Sequence, residues 1–315
     1  MQKQLADFKL DEKVAVFALL SSLELRTTQQ GKPYLVMTFT DRSGDIRGMK
    51  WEVTDNDLKD LQVGEVVFVE GVKQSYRDQE QLKVLSIRLT QAGEPSNPAD
   101  FLQRAPKAQA AMETEVERLV LQITQANWQR IVRYLLKKYH QAFFTFPAAK
   151  ANHHAFAGGL AYHSLSIVHM AQAVADQYDQ VDRRLLYAAS LLHDLGKVLE
   201  LSGPVATHYT RAGNLIGHIT LIDEQIVLAA QELKMDIYAE DLLLLRHTVL
   251  AHHGLLEYGS PVQPQVKEAE ILHQLDQLDA SMQAFDQALA QTEPGHFSSR
   301  QWALDRRSVY HPEMD

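Results

Sequence analysis

The sequence predicts two kinds of domain on one chain, a small β-barrel followed by an all-helical bundle. Three observations carry that reading. Residues 12–92 read as short strands with an apolar face between turn signatures, the alternation clearest over residues 32–40. From Gln109 to about Leu289 the apolar residues recur at three- and four-residue spacing, the period of helices. Between the two lies Gly93-Glu94-Pro95-Ser96-Asn97-Pro98, which breaks both patterns. The expected boundaries are a barrel over residues 1–92, a linker over 93–108 and a helical domain over 109–315.

Five strands are expected in the first part, over residues 14–20, 32–40, 46–51, 66–72 and 81–89. Asp41-Arg42-Ser43-Gly44-Asp45 and Leu61-Gln62-Val63-Gly64-Glu65 supply turns. The gap between Trp51 and Leu61 has room for a short helix. That arrangement matches an OB barrel. Such barrels bind single strands through exposed aromatic and basic side chains. The candidates are Tyr34, Trp51, Tyr76, Lys50 and Arg77. Tyr34 and Trp51 equally fit a role within the sheet, and a barrel of this size equally serves assembly.

Composition narrows the function classes. The chain has 315 residues, enough for two domains, and a hydrophobic fraction of 45%, enough for real cores. No run approaches the ~20 apolar residues that cross a bilayer. The first residues lead into no apolar signal segment, so a cytoplasmic protein with no membrane partner is expected. There are no cysteines, which excludes disulfides and thiolate-held zinc and fits a reducing compartment. The net charge of -9 argues against a broad DNA-coating protein. It leaves a nucleic-acid enzyme open, because local patches and bound metal reverse the sign where it matters. The oligomeric state is open too, a homo-oligomer included.

Helices are expected over residues 112–124, 128–139, 160–178, 181–193, 212–218, 221–235, 238–252, 266–289 and 298–305. Phe143-Phe144-Thr145-Phe146-Pro147 is expected to end one regular stretch and wedge its rings against the core. Asp179 or Asp182 is expected to start the helix that ends at His193. Ten of the fourteen histidines fall between residues 153 and 253. His163 lies on a stripe with Leu160, Ile167 and Met170, where a lone histidine would usually be a core residue. The doublet His193-Asp194 ends an apolar run, however, and burying both groups is costly unless something compensates them. A divalent metal does so.

Imidazole and carboxylate donors suit zinc, manganese, iron or cobalt and suit calcium poorly. His163, His193, Asp194 and a late aspartate can make one four-ligand site. Asp194 has two oxygens and can bridge to a second ion held by His218 and one of His252 or His253. Paired metals suit phosphoryl transfer, since they activate water and neutralise charge on the phosphate. Asp194 and Lys197 are therefore the catalytic candidates, with the Lys197 ammonium placed for a phosphate oxygen. Asp276 and Asp279 share a helix face, so either can ligate while the other orients a ligand histidine.

His193-Asp194-Leu195-Gly196-Lys197, preceded by His163 and followed by Leu275-Asp276-Gln277-Leu278-Asp279, resembles the HD superfamily of metal-dependent phosphohydrolases. The resemblance favours Asp276 as the late ligand. His218, His252 and His253 resemble the additions of two-metal members, with His252 ahead of His253. The whole chain resembles the YhaM-type 3'–5' exoribonucleases, which join an OB-like domain to an HD domain. Thr40 to Asp45, Phe146-Pro147-Ala148-Ala149-Lys150, His153-His154, Gly158 to His163 and Arg307-Ser308-Val309-Tyr310 carry that likeness. It implies a manganese-activated enzyme with two ions, degrading single-stranded RNA and also single-stranded DNA from the 3' end. His154 then either touches a substrate phosphate or structures its loop, and His153 has no assigned role. The rival readings are an HD-type nucleotidase or cyclic-nucleotide phosphodiesterase and a non-catalytic nucleic-acid-binding or assembly protein.

Overall fold

Alternation along the first ninety residues turns one apolar edge of each strand inward. The computed structural model describes residues 3–76, 79–150 and 154–313, and of Asp55 and Asn56 the backbone alone. Arg77 and His153 lie outside the described residues. The chain divides into two units, Met1–Arg104 with Pro204–Thr207, and Ala105–Gly203 with His208–Asp315.

The first unit is a closed five-stranded barrel. Its elements are β1 (Lys13–Thr27), β2 (Pro33–Asp41), β3 (Gly44–Lys50), α1 (Asp55–Asp60), β4 (Val66–Tyr76) and β5 (Gln79–Leu89), with strand order β1-β2-β3-β5-β4. All pairs are antiparallel except β3 with β5. β1 runs well past the expected strand because it serves two partners. Lys13 to Leu19 pair with β4, and Leu19 to Thr27 pair with β2. The register shifts between Leu20 and Ser22, a bulge that lets one strand turn the barrel corner. Val16, Ala18, Leu20, Met37, Phe39, Val67, Val69, Leu82 and Val84 fill the interior. The short helix α1 occupies the expected gap, started by a reciprocal cap between Thr54 and Asp57.

The second unit is all helical. It comprises α2 (Gln109–Gln122), α3 (Ala126–Lys138), α4 (His140–Thr145), α5 (Gly159–Ala175), α6 (Arg183–Leu192), α7 (Lys197–Glu200), α8 (Arg211–Ile216), α9 (His218–Glu232), α10 (Glu240–Leu250) and α11 (Lys267–Ala290). One continuous core joins α2, α3, α5, α6, α9, α10 and α11. Of the two aspartates offered as a start for α6, Asp182 is the cap, and its carboxylate accepts from the N–H groups of Arg184 and Leu185.

Four expectations need correction. Phe143 and Phe144 do not end a regular stretch; they are the buried face of α4. The helix α7 was not expected. His218 does not close the helix before it but opens α9, because Gly217 takes a φ of 79° that an α-helix does not continue through. Residues 298–305 hold only a 3-10 turn, Trp302–Leu304, inside an antiparallel ribbon bridged at Phe297–Tyr310 and Gln301–Arg307. Asp305 and Arg306 take φ of 53° and 61°, as a tight reversal requires. Leu304 and Val309 anchor the ribbon on Ala288 of α11.

Candidate metal centre

Three helices, α5, α9 and α11, and the connections that follow α6 and α10 deliver the polar groups to one place. α5 brings His163 between Leu160 and Ile167, which are buried one turn to either side. It can start where it does because Gly158 takes a φ of 78°, and because a Cβ on Gly159 would lie 2.0 Å from the His154 carbonyl oxygen. α6 is buried from Leu185 to Leu192 and pushes His193 and Asp194 out of its end. The chain then turns at once into α7. A Cβ on Gly196 would lie 2.1 Å from the His218 carbonyl oxygen, so only glycine lets the start of α9 pack against this turn. α10 stops at Leu250, and His252 and His253 follow directly. α11 carries Asp276 and Asp279 three residues apart.

The groups form two sets that share one carboxylate. In the first, His163 Nε2 lies 3.1 Å from His193 Nε2, 3.2 Å from Asp276 Oδ1 and 3.4 Å from Asp194 Oδ2. His193 Nε2 lies 3.5 Å from the same Asp194 oxygen. In the second, the other oxygen, Asp194 Oδ1, lies 3.4 Å from His218 Nε2 and 3.8 Å from His252 Nε2. His253 completes this set, its ring 4.3 Å from that of His252 and 5.3 Å from that of His218.

Every ring is held from behind by its other nitrogen. His193 Nδ1 donates to Ser190 O at 2.9 Å, His252 Nδ1 to Val249 O at 2.7 Å and His253 Nδ1 to Tyr258 O at 2.7 Å. His218 Nδ1 donates to Glu200 Oε1 at 3.1 Å, and His163 Nδ1 to Asp279 Oδ2 at 2.8 Å. That pattern fixes the tautomer and aims each Nε2 inward, as a metal-binding imidazole requires.

Electrostatics follow from burial. Burial pushes the Asp194 carboxyl up, but the Lys197 ammonium and the surrounding imidazoles outweigh it and hold it well below the usual carboxylate range. Burial pushes His163 down, yet the Asp276 and Asp279 carboxylates win and raise it to about 9. Burial and neighbouring imidazoles push His252 well below its ordinary value, and burial also lowers His193. Those rings are neutral at pH 7, with lone pairs available.

The unpaired polar atoms of this cluster call for a divalent metal. Among the described residues, Asp194 Oδ1, His218 Nε2 and His252 Nε2 are buried without a hydrogen-bond partner. An unpaired buried acceptor is expensive, and these three converge from three different elements. Nitrogen and carboxylate donors in this mixture suit manganese, iron, cobalt or zinc. The residues fit the group.

The other candidates fall as follows. Asp276 faces the Nε2 side of His163 and Asp279 the Nδ1 side. His154 is buried, and its Nε2 donates to Asp279 Oδ2 at 2.7 Å, which puts it one carboxylate behind the His163 ring. Lys197 Nζ donates to Asp194 Oδ2 at 2.7 Å. In the barrel, Tyr34 and Trp51 stack on each other with centroids 4.8 Å apart, and Trp51 is exposed. Lys50, offered as a basic strand contact, is instead buried against Asp57 at 2.8 Å. Three contributors escaped sequence reasoning. Glu200 has no sequence signal, being eighteen residues from the ring it holds. Ser166, whose Oγ donates to Asp279 Oδ1 at 2.7 Å, sits one turn after His163 and was findable. His273 sits one turn before Asp276, and its Nδ1 donates to the His252 carbonyl at 3.0 Å.

Comparison with known proteins agrees with this division. A family model for the HD domain matches residues 160–281, and one for the OB-fold nucleic acid binding domain matches residues 14–90. A helicase model, TraI_2, matches residues 95–200 and overlaps the start of the HD match. The 3'-5' exoribonuclease YhaM of Listeria monocytogenes is 44% identical over 315 residues, covering 100% of both chains. Those of Listeria welshimeri and Listeria innocua are 44% and 43% identical over 315 residues, again covering 100% of both chains. Among the described residues no helix is long and apolar enough to cross a membrane. With an OB barrel, an HD helical bundle and relatives matching from end to end, the chain belongs to the YhaM family of 3'-5' exoribonucleases.

Proposed function

We propose that this protein is a divalent-metal-dependent 3'–5' exoribonuclease that shortens single-stranded RNA, and single-stranded DNA as well, releasing nucleoside 5'-monophosphates. One observation carries the reading: the two oxygens of Asp194 face two separate sets of inward-aimed imidazoles. His163, His193, Asp276 and Asp194 would hold one ion, and Asp194, His218, His252 and His253 the other. When bound, such a pair neutralises phosphate charge and lowers the pKa of water, and manganese is the ion we expect.

The chain's own residues do the rest. Lys197 keeps the Asp194 carboxylate ionised, and its remaining N–H groups are available to a non-bridging phosphate oxygen. Asp279 and Glu200 hold His163 and His218 in the one orientation that presents Nε2. Water adds to phosphorus, the bond to the 3' oxygen of the penultimate nucleotide breaks, and that oxygen leaves with a proton. In this reading residues 1–92 grip the strand through the Tyr34–Trp51 stack, 93–108 link, and 109–315 cut. A chain without cysteine suits the cytoplasm, where we place it. Incubating 5'-labelled RNA with the protein and manganese should give a ladder shortening from the 3' end. Intact RNA, or cleavage only at internal positions, would refute the proposal. Faster release of phosphate from mononucleotides than shortening of oligomers would favour a nucleotidase.

A further inference from the structure

The ribbon at residues 296–311 is built unlike the rest of the helical unit. Its inner residues, Leu304 and Val309, are buried on α11. Its outer residues are large aromatics left in water: Phe297 is 69% exposed, Trp302 78% and Tyr310 46%. Scattered apolar exposure needs no explanation, but three aromatics on one sixteen-residue ribbon do. They are also ordered. Phe297 and Tyr310 pair across the ribbon with centroids 5.0 Å apart, and the Arg306 guanidinium lies 4.0 Å from the centre of the Trp302 ring. Arg300, Arg306 and Arg307 are all exposed here against the single acid Asp305. The ribbon is therefore basic on a chain whose net charge is -9.

Exposed rings interleaved with guanidinium groups match the chemistry of a single strand, whose bases stack and whose phosphates pair with cations. A two-fold contact with a second copy would set the same arginines against each other, which disfavours that occupant. We propose that this ribbon is a contact surface for the single-stranded substrate, additional to the barrel; the proposal rests on the nuclease reading above. α11 links the ribbon rigidly to the metal centre. From Asp276 to the end of that helix is 14 residues, about 21 Å at 1.5 Å per residue. A dinucleotide seated at the centre does not reach the ribbon, whereas a strand of about 12 nucleotides, within the usual range of single-strand site sizes, does. The ribbon therefore acts on affinity for long strands and not on the bond being cut.

The test measures strand affinity by fluorescence polarisation on the full-length protein, with chelator present so that nothing is cleaved. Trp302→Ala should weaken a 12-mer about 5- to 100-fold, and Trp302→Phe should recover most of that. Arg300→Gln with Arg306→Gln should flatten the dependence of log affinity on log salt by about 0.7 per arginine. Hydrolysis of a dinucleotide should be unchanged in all variants. Unaltered 12-mer affinity in Trp302→Ala would overturn the proposal. So would a smaller assembly in sedimentation with unaltered strand affinity, which would mark the ribbon as a protein interface. The nuclease reading fails separately, if the wild-type protein with manganese leaves RNA intact.

Discussion

Glu200 holds His218 twice through one oxygen: Oε1 accepts from the backbone N–H at 3.0 Å and from ring Nδ1 at 3.1 Å. Burial pushes the Glu200 carboxyl up, but these two bonds and nearby Lys197 hold it below the usual range, so the anchor is an anion. His218 is the only ring of its set with a charged anchor; His252 and His253 lean on carbonyls. Removing the anchor by Glu200→Ala should lower affinity at that set about 10- to 100-fold, and Glu200→Gln should lower it less. Calorimetric titration with manganese should show one weakened step. Two weakened steps, or none, would contradict this assignment.

Asp279 does the corresponding work for the other set, and it carries more. Its Oδ2 takes both His154 Nε2 and His163 Nδ1, while its Oδ1 takes Ser166 Oγ. Asp279→Ala removes the acceptor shared by two buried imidazoles and the half-buried Ser166 hydroxyl. The expected cost is about 3–5 kcal/mol in urea unfolding of the metal-free protein, because one partner of a buried ionic group is left behind. Ser166→Ala should cost only about 1 kcal/mol. Equal costs for the two would show that Asp279 is not the hub.

A pH dependence follows in the barrel. Burial pushes the Asp57 carboxyl up, but the Lys50 ammonium and Thr54 outweigh it, so its folded value is depressed. A depressed carboxyl adds stability above its unfolded value, about 3.9, and loses it as pH falls through the folded value. Asp57→Asn should therefore open β2 and β3 to hydrogen exchange at neutral pH, by up to about 3 kcal/mol. The gap between variant and wild type should close as pH falls through the depressed folded value. A gap that widens in acid would reverse the sign of the argument.

The clustered histidines and aspartates and the barrel were legible for different reasons. His193-Asp194 announces itself, because two polar side chains follow directly on a run, Leu185 to Leu192, that is buried throughout. The barrel was legible because turn signatures separate its apolar-faced runs. Asp276 and Asp279 could not be ranked by periodicity, since one helix face presents both; the choice lies in which nitrogen of His163 each one meets. Lys50 misled because alternation cannot see Asp57, which arrives from α1 to bury it. α4 was hidden by its aromatic run and Pro147, which read as a break, while packing of Phe143 and Phe144 held the turn helical. Glu200 was invisible because its partner lies beyond another helix, α8, and the ribbon was read as helix because spacing alone cannot see the reversal at Asp305 and Arg306.

The Asp194 carboxylate stands between both sets of histidines. Manganese titration of the Asp194→Ala protein, beside that of the wild type and of His218→Ala, isolates it. Two ions per wild-type chain are expected, with His218→Ala weakening one step and Asp194→Ala weakening both. An Asp194→Ala protein that loses a single step, or that still binds two ions at wild-type affinity, would show that no one carboxylate serves both sets of histidines.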